Sequence, residues 1–400
     1  MLRALRPLRS RDYRLFWFGS FIANLGLWMQ QIALGWLVYG MTRSASLLGM
    51  ISFCGSLPVL TLGLLGGAIA DRASRRVVMV GTLSVIACTA LALALLTATG
   101  HLVIWHIVAI SMVAGAASAL FGPSAQAVIP SLVGDGELLN AISLNSVQFN
   151  LARTIGPALA GLAYGPLGPA GCFALNSAGF LVMVLMIARV RVPRAPNVTA
   201  PPVIRALREA IGYARRHAVI GPALFLAAVM SIFGFPYIIL LPALARDTLG
   251  LDASGLGYLM ASVGAGAVVG GLGLSAAGDV SRKELVAVGC AIGFGILLAG
   301  FALVRTAARM SPLLFAMGAL QTICVSSINT TIQLRVHDGM RGRVMSMMTV
   351  ILFGLVTAGA LLMGFAGDRI GVPRALASGG GVIVLAAAGV LSRIRGVEPV

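Results

Sequence analysis

The sequence predicts an all-α membrane protein in which twelve transmembrane helices form two six-helix bundles. Hydrophobic residues make up 58% of the chain and charged residues only 10%, whereas a soluble domain is roughly a quarter charged. The apolar residues gather into runs of about 20 residues, which is the length of a helix that crosses a bilayer. Lysines and arginines lie mostly on one side of these runs. Together these three observations define a multi-pass membrane protein.

The apolar runs form two groups of six around one long polar break. Spans 1 to 6 cover 15–39, 45–70, 77–98, 101–121, 138–164 and 170–188. Spans 7 to 12 cover 219–241, 255–278, 285–304, 312–334, 344–366 and 375–391. The chain is therefore expected to consist of an N-terminal bundle at 1–190, a linker at 191–217 and a C-terminal bundle at 218–400.

The basic residues indicate the orientation of the chain in the membrane. A formal charge of +17 would suggest a nucleic-acid partner in a soluble protein, but here the arginines lie in short loops, so we expect no such partner. The side opposite the N-terminus holds only six basic residues: Arg43, Arg246, Arg305, Arg309, Arg369 and Arg374. Because cytoplasmic loops are rich in Lys and Arg, both termini are predicted to be cytoplasmic.

The linker begins with four prolines between positions 193 and 202. Val203, Leu207 and Ile211 then recur at helical spacing, with arginines between them. We predict an amphipathic helix that lies on the inner membrane surface and is attracted to anionic lipid headgroups. A merely solvated linker is the alternative.

A basic turn with one acid follows span 2 and is partly repeated after span 8. An acid in such a turn can pair with arginines or face the N-terminus of another helix, which would hold two helices together on that side. A generic charged loop is the alternative. We call the residues of these two turns, together with two arginines just before span 11, the inner latch: Gly67, Asp71, Arg72, Arg75, Arg76, Asp279, Arg282, Arg341 and Arg343.

The turn after span 2, from Gly67 to Arg76, resembles the signature of the major facilitator superfamily of transporters, although Ser74 stands where that signature usually has a glycine. Gly26 to Gln30, Asn145 to Gly161 and Arg341 to Ser346 resemble the enterobactin-exporter-like branch. The resemblance implies two bundles related by a pseudo-two-fold axis, with a substrate held between them near the midplane. It further implies secondary active export of amphipathic drugs or siderophores from a bacterial cytoplasmic membrane, driven in known cases by protons. The same fold working inward, as an importer of a nutrient or lysolipid, is the alternative.

Spans 1, 4, 7 and 10 line the cavity in the family that this chain resembles. The candidate cavity residues are Asn24, Gln30, Gln31, Ser111, Ser118, Arg153, Tyr237, Gln321 and Asn329. Most of these side chains are uncharged, which suits a large amphipathic substrate better than a small ion. Many of them are equally suited to hydrogen bonds between helices. Arg153, inside span 5, would contact a polar or anionic substrate group or cap helix carbonyls.

Gly156, Pro157 and Gly161 resemble the helix 5 glycine–proline motif of antiporter branches, which implies a hinge, whereas a static kink is the alternative. No carboxylate lies in the middle of a span. His106, near the outer end of span 4, could titrate near neutral pH and carry a proton, whereas an anchor at the membrane interface is the alternative. The five cysteines show no C-x-x-C spacing. We therefore expect no metal, cofactor or enzymatic site, and a monomer whose partners are membrane lipid and a small molecule.

Overall fold

The computed structural model describes residues 5–70, 74–134, 136–191, 203–278 and 282–394, and helices dominate these residues. A short 3-10 turn at Arg6–Arg9 precedes the first long helix. The first five helices are α1 (Arg11–Thr42), α2 (Ala45–Ala70), α3 (Arg75–Ala98), α4 (Ile104–Leu132) and α5 (Leu138–Ile187). The glycine at 168 (φ 63, ψ −174) interrupts α5. The part of α5 before this glycine corresponds to span 5, and the part after it corresponds to span 6.

The remaining helices begin after the linker. They are α6 (Val203–Arg216), α7 (Ile220–Val229), α8 (Tyr237–Ala243), α9 (Ala253–Ala276), α10 (Lys283–Ala299), α11 (Ala307–Arg335), α12 (Asp338–Val350), α13 (Val356–Ile370) and α14 (Val372–Ile394). Wider π-helical turns at Met230–Gly234 and Leu244–Thr248 follow α7 and α8, and a third at Ile351–Leu355 joins α12 to α13. A 3-10 turn at Gly300–Ala302 closes α10.

Within the described residues, ten helices are long and apolar enough to cross a membrane. One of the ten is α5, which holds two spans, and α12 with α13 forms span 11 across its π-helical turn. Every predicted span therefore corresponds to helix. The prediction of an all-α membrane protein with twelve spans is confirmed.

Close contacts divide the chain into two compact units. The first comprises 1–37 and 54–200, and the second comprises 38–53 and 201–400. The C-terminal end of α1 and the first turns of α2 thus group with the second half of the sequence. The turn between these two helices carries a cluster of polar contacts.

The core of the first unit lies between α1, α3, α4 and α5. Its largest fully buried side chains include Tyr13, Met79 and Leu83. The Tyr13 hydroxyl donates to the Ala141 carbonyl at 2.8 Å, and the Trp17 indole nitrogen donates to the Leu144 carbonyl at 2.9 Å. Buried polar tips that reach backbone oxygens satisfy their hydrogen bonds and fix the register of α1 against α5.

In the second unit, helices approach closely where glycines meet backbone. A Cβ added at Gly318 would lie 2.1 Å from the Val263 carbonyl oxygen, and one at Gly266 would lie 1.9 Å from that of Phe315. The pair α9 and α11 therefore packs backbone to backbone. In lipid, where apolar side chains gain little by leaving the solvent, such close van der Waals packing is a main source of helix association.

The helix predicted at 203–211 is present and extends to Arg216 as α6, which packs against α7 and α12. Just beyond it, Nδ1 of His217 accepts hydrogen bonds from the backbone amides of Val219 and Ile220, at 3.2 and 3.3 Å. Burial, reinforced by the Arg335 guanidinium, lowers the pKa of His217. The imidazole is therefore kept neutral and able to accept at the N-terminus of α7.

Candidate functional site

The turn between α1 and α2 is held in a strained conformation. Only Arg43 and Ser44 separate the two helices, and Arg43 has a φ of 50°. This left-handed conformation costs a non-glycine residue roughly 1–2 kcal/mol. Surrounding contacts must compensate for that strain, and strained residues of this kind are concentrated at functional sites.

Asp247, in the π-helical turn after α8, supplies two of these contacts. Its carboxylate accepts from the Arg43 guanidinium at 2.8 Å and, through the other oxygen, from the Tyr39 hydroxyl. The Arg43 and Asp247 side chains are 60% and 45% exposed, so solvent screens the ion pair and it contributes about 1 kcal/mol or less. The contact is therefore easily broken and remade.

Asp368, in the last turn of α13, caps the N-terminus of α2. Its carboxylate accepts from the backbone amides of Ala45 and Ser46, at 2.6 and 3.1 Å, and from the Ser44 hydroxyl at 2.8 Å. A helix N-terminus presents unpaired amides and a partial positive charge, so an ionised carboxylate is well placed there. Because Asp368 belongs to another helix, the cap also fastens α2 to α13.

Two glycines bring the backbones of α2 and α13 together just beyond this cap. A Cβ added at Gly49 would lie 2.3 Å from the Ala360 carbonyl oxygen, and one at Gly364 would lie 2.5 Å from that of Ala45. We call this contact region the outer clamp. It consists of Tyr39, Arg43, Ser44, Ala45, Ser46, Gly49, Asp247, Ala360, Gly364 and Asp368.

The inner latch is only partly visible. Asp71, Arg72 and Asp279 lie outside the described residues, and Gly67 lies within α2 with surroundings that are likewise not described. The structure does place two of its basic residues in contacts: the Arg75 guanidinium donates to the Ala127 carbonyl of α4 at 2.9 Å, and Arg343 pairs with Glu209 of α6 at 2.5 Å.

The other three described members of the inner latch lie at helix starts or on exposed surface. Arg76 is exposed in the first turn of α3, and Arg282 is the residue that precedes α10. Arg341 is exposed on α12, two residues before Arg343. The described contacts of the inner latch thus link α3 to α4 and α12 to the linker helix. Its function stays a prediction.

In the first unit, several predicted cavity residues take part in hydrogen bonds between α1 and α5. The Asn24 amide donates to Gln148 at 3.3 Å, and Gln148 donates in turn to Asn145 at 3.0 Å. The Asn176 amide donates to Gln30 at 2.7 Å. Such interhelical bonding is the alternative to substrate contact, and the amide side chains of Asn24 and Gln30 do make these bonds.

The remaining candidates of the first unit differ in exposure. Gln31 is exposed on α1, and Ser118 is exposed on α4 with its hydroxyl bonded to the Ala114 carbonyl at 2.8 Å. Ser111 is half-buried beside Gly55 of α2. Arg153 is half-buried on α5. The polar residues of this unit therefore extend along α1, α4 and α5 and do not gather into one cluster.

In the second unit, Tyr237 joins α8 to α11. It is fully buried, its hydroxyl donates to the Gln321 side-chain oxygen at 3.3 Å, and its ring packs against Phe294 and Phe301. Asn329, two turns further along α11, accepts from Gln333 at 3.2 Å. In the conformation described, Tyr237 and Gln321 satisfy each other and stabilise the packing of two helices.

The predicted hinge lies at a tight contact between α5 and α1. Gly156, Pro157 and Gly161 are all buried. A Cβ added at Gly156 would lie 2.6 Å from the Cβ of Trp28 and 3.2 Å from the Leu25 carbonyl oxygen. Close packing at this position is therefore established, while bending during a transport cycle stays a prediction.

We expect Gly156→Ala to destabilise the protein by about 1–3 kcal/mol, the usual cost of overpacking. The obstacle is the base of the Trp28 side chain, which cannot move aside by a rotamer change. The measurement is the thermal unfolding midpoint of the purified protein in detergent.

The matched control for this substitution is Gly165→Ala on the same helix, where an added Cβ meets nothing within 4 Å. Both changes gain the same helix propensity, about 1 kcal/mol, so their difference isolates the contact with Trp28. Equal midpoints for the two variants would show that α1 and α5 separate here at little cost.

Sequence reasoning missed the outer clamp; of its residues it named only Arg43, as a basic residue on the side opposite the N-terminus. One signal was available: only residues 40–44 separate predicted spans 1 and 2, and the unpaired amides at the start of a helix need an acceptor. The sequence offers Asp247 and Asp368 as acids on the same predicted side. Nothing in one sequence, however, selects the helix with which each acid pairs.

A family model described as transmembrane secretion effector matches residues 2–399, nearly the whole length of the chain. Together with the membrane-spanning helices, this match defines the class of the protein: it is a multi-pass transporter of the major facilitator superfamily. The chain belongs to the family of transmembrane secretion effectors.

The chain is similar to several transport and efflux proteins. It is 27% identical over 371 residues to the staphyloferrin A transporter of Staphylococcus aureus, covering 90% of this chain and 91% of that protein. It is 23% identical over 361 residues to macrolide efflux protein A of Streptococcus pyogenes, covering 89% of each. It is 25% identical over 399 residues to the enterobactin exporter EntS of Salmonella typhimurium, covering 97% and 95%. These relatives are transporters and not enzymes, as predicted.

Solved structures share the fold at low sequence identity. The nucleoside transporter NupG matches with a TM-score of 0.76 at 13% identity, over 96% of this chain and 99% of that one. A bacterial homologue of the lysosomal transporter Spinster, in an inward-facing and unoccupied conformation, matches with a TM-score of 0.74 at 14% identity, over 96% and 97%. These likenesses establish the major facilitator fold.

Proposed function

We propose that this protein exports an amphipathic small molecule, of drug or siderophore type, from the cytoplasm by alternating access. It would lie in a bacterial cytoplasmic membrane with both termini in the cytoplasm, act as a monomer and exchange its substrate for protons. The three relatives named above carry names of siderophore or macrolide transport, and this shared chemistry supports the substrate class.

The observation that carries the mechanism is the outer clamp. It joins the ends of α1 and α2 to helices from the second half of the sequence through one screened ion pair, one shared cap and glycine contacts. Each of these contacts is weak enough to open within a transport cycle, and all of them lie at one end of the helices. Such a set is what an alternating mechanism needs at the side that is closed.

The proposed counterpart at the cytoplasmic side is the inner latch. Asp71, with Arg75 and Arg76, would hold the cytoplasmic ends together when the outer clamp is open. Substrate would bind between these two regions, where the amides of Asn24, Gln30 and Gln321 would exchange their hydrogen bonds with Gln148, Asn176 and Tyr237 for bonds to the substrate. Arg153 would attract an anionic or polar group.

The inner latch can be tested with Asp71→Asn. We expect cells that express this variant to accumulate at least about ten times as much of a fluorescent amphipathic drug as cells that express the wild type. The reason is that the outward-open state loses its charge pairing, and about 1.4 kcal/mol corresponds to a tenfold change in rate. Surface expression and thermal unfolding show whether both proteins fold. Equal accumulation by two folded proteins would remove the inner latch from the mechanism.

Transport direction separates export from the importer alternative. In inside-out vesicles that contain the protein, an exporter concentrates drug or siderophore when a proton gradient is imposed, and collapsing the gradient abolishes uptake. Accumulation only in right-side-out vesicles would favour import. Transport into inside-out vesicles that does not depend on the proton gradient would support export and exclude proton coupling.

A further inference from the structure

The second unit contains a cavity of about 680 Å³ that the transport mechanism does not use. Its walls come from the linker helix α6, from the first turns of α7, from the junction of α12 with its π-helical turn, and from the end of α14. Its volume is in the range of small-molecule sites. We call it the linker cavity.

Apart from two arginines, the linker cavity is lined by apolar residues and glycines, which we call its floor. They include Leu224 and Phe225 of α7, Met347 of α12 and Ile351 of the following π-helical turn. Phe225 is 54% exposed although it belongs to a helix that spans the membrane. An exposed aromatic ring beside a groove of this size provides a surface for a hydrocarbon chain.

The rim of the linker cavity is cationic. Arg215, in the last turn of α6, and Arg393, in the last turn of α14, are the only polar side chains among its lining residues. Both are exposed, and in the part of the chain that the structure describes neither has a carboxylate partner. The nearby Arg343, in contrast, is paired with Glu209. Two unpaired guanidinium groups at one opening are suited to bind a phosphate group.

The position of the two arginines and of the apolar residues relative to the membrane surface indicates the kind of ligand. The first residues of α7, Gly221 and Pro222, line the cavity together with Gly389 and Arg393 from the end of α14. Both helices begin or end at the membrane surface, so the rim lies at headgroup level and the apolar floor lies toward the hydrocarbon. A soluble anion would use only the rim, whereas a phospholipid uses both parts.

We propose that the linker cavity is a specific site for one anionic phospholipid, whose phosphate binds Arg215 and Arg393 and whose acyl chain lies along Phe225 and Ile351. The bound lipid would connect the linker helix to α14. This inference goes beyond the transport function and requires only that the chain is embedded in a membrane.

The test compares phosphatidylglycerol with phosphatidylcholine on the full-length protein, purified and delipidated in detergent. Retained lipid is counted by native mass spectrometry across a titration. We expect one phosphatidylglycerol to bind in preference to phosphatidylcholine. The double variant Arg215→Gln/Arg393→Gln should weaken that binding by more than tenfold, since each arginine near anionic headgroups contributes a factor of about five.

The matched control is Arg216→Gln/Arg305→Gln, which removes two exposed arginines that do not line the linker cavity. It should retain the lipid. An independent variant is Gly389→Leu, which leaves the charges in place and fills the cavity, because a Cβ there meets no atom within 4 Å. Leucine also favours helix over glycine, so this variant should fold and still lose the bound lipid.

Three results would overturn the proposal: equal binding of the two lipids, equal loss of phosphatidylglycerol in the control double variant, or unchanged binding in Gly389→Leu. Full occupancy by inorganic phosphate alone would do so as well, because the apolar floor would then have no role. Since none of these measurements involves transport, a failed export assay and a failed lipid assay remain distinguishable.

Discussion

Gly49→Leu is expected to reduce drug export to less than about a tenth of the wild-type rate. A Cβ at this position already lies 2.3 Å from the Ala360 carbonyl oxygen and 2.7 Å from the Leu361 Cα. Because both obstacles are backbone atoms, no rotamer change can relieve the clash. Under the proposed mechanism, the outer clamp could then not close.

The measurement for Gly49→Leu is efflux of a preloaded fluorescent drug from energised cells. Gly81→Leu is the matched control: Gly81 lies on α3, is exposed, and its added Cβ would meet nothing within 4 Å. We expect this control to transport normally. Wild-type efflux from folded Gly49→Leu protein would show that the close approach of α2 and α13 is dispensable, and the outer clamp would lose its proposed role.

Asp368→Asn is expected to loosen the outer clamp without any change in side-chain size. Asp368 uses both oxygens as acceptors, one for the amide of Ala45 and the other for the amide of Ser46 and the Ser44 hydroxyl. In asparagine one of these atoms becomes an NH₂ group, which donates and so meets another donor. A lost hydrogen bond to a charged group costs about 1.5–3 kcal/mol, so the ratio of closed to open states should fall by about tenfold or more.

The opening of the clamp can be measured with a thiol placed at its centre. Ala360 is fully buried against Gly49, so Ala360→Cys in a background without the native cysteines should react slowly with a membrane-impermeant thiol reagent. Adding Asp368→Asn should accelerate that reaction about tenfold or more.

Asp252→Asn provides the control for Asp368→Asn. Asp252 caps its own helix, α9, through the amide of Gly255 at 2.8 Å, so it holds no second helix. Its substitution should lower stability slightly and leave the reactivity of the thiol unchanged. If both asparagine variants raise reactivity equally, then general loosening of the protein, and not the cap between α13 and α2, is responsible.

Sequence reasoning located the spans well because lipid imposes a strong constraint on the chain. Backbone groups in hydrocarbon must be bonded within a helix, so an apolar run of sufficient length is enough to predict one. Two boundaries were harder to recognise. Spans 5 and 6 follow each other without a loop, separated only by the non-helical backbone of Gly168. Span 11, in contrast, is divided by the π-helical turn at Ile351–Leu355.

The candidate cavity shows why single side chains are harder to assign than spans. Asn24, Gln30, Tyr237 and Gln321 are polar residues on apolar helices, and in lipid such residues bind either a substrate or one another. Composition alone cannot separate these outcomes. In the described conformation they bind neighbouring helices, and any role in substrate binding would require these bonds to exchange.

The sequence alone determined that this chain crosses a membrane twelve times, and its motifs resembled one transporter superfamily. Hydropathy and motif spacing are properties of the linear chain, so they can be determined without knowing which residues are in contact in the folded protein. Only the tertiary structure revealed that Asp368 caps α2, that Gly49 meets Ala360, and that Arg215 and Arg393 share a cavity. Each of these contacts joins residues more than a hundred positions apart, and only the packing of the helices decides which of them meet.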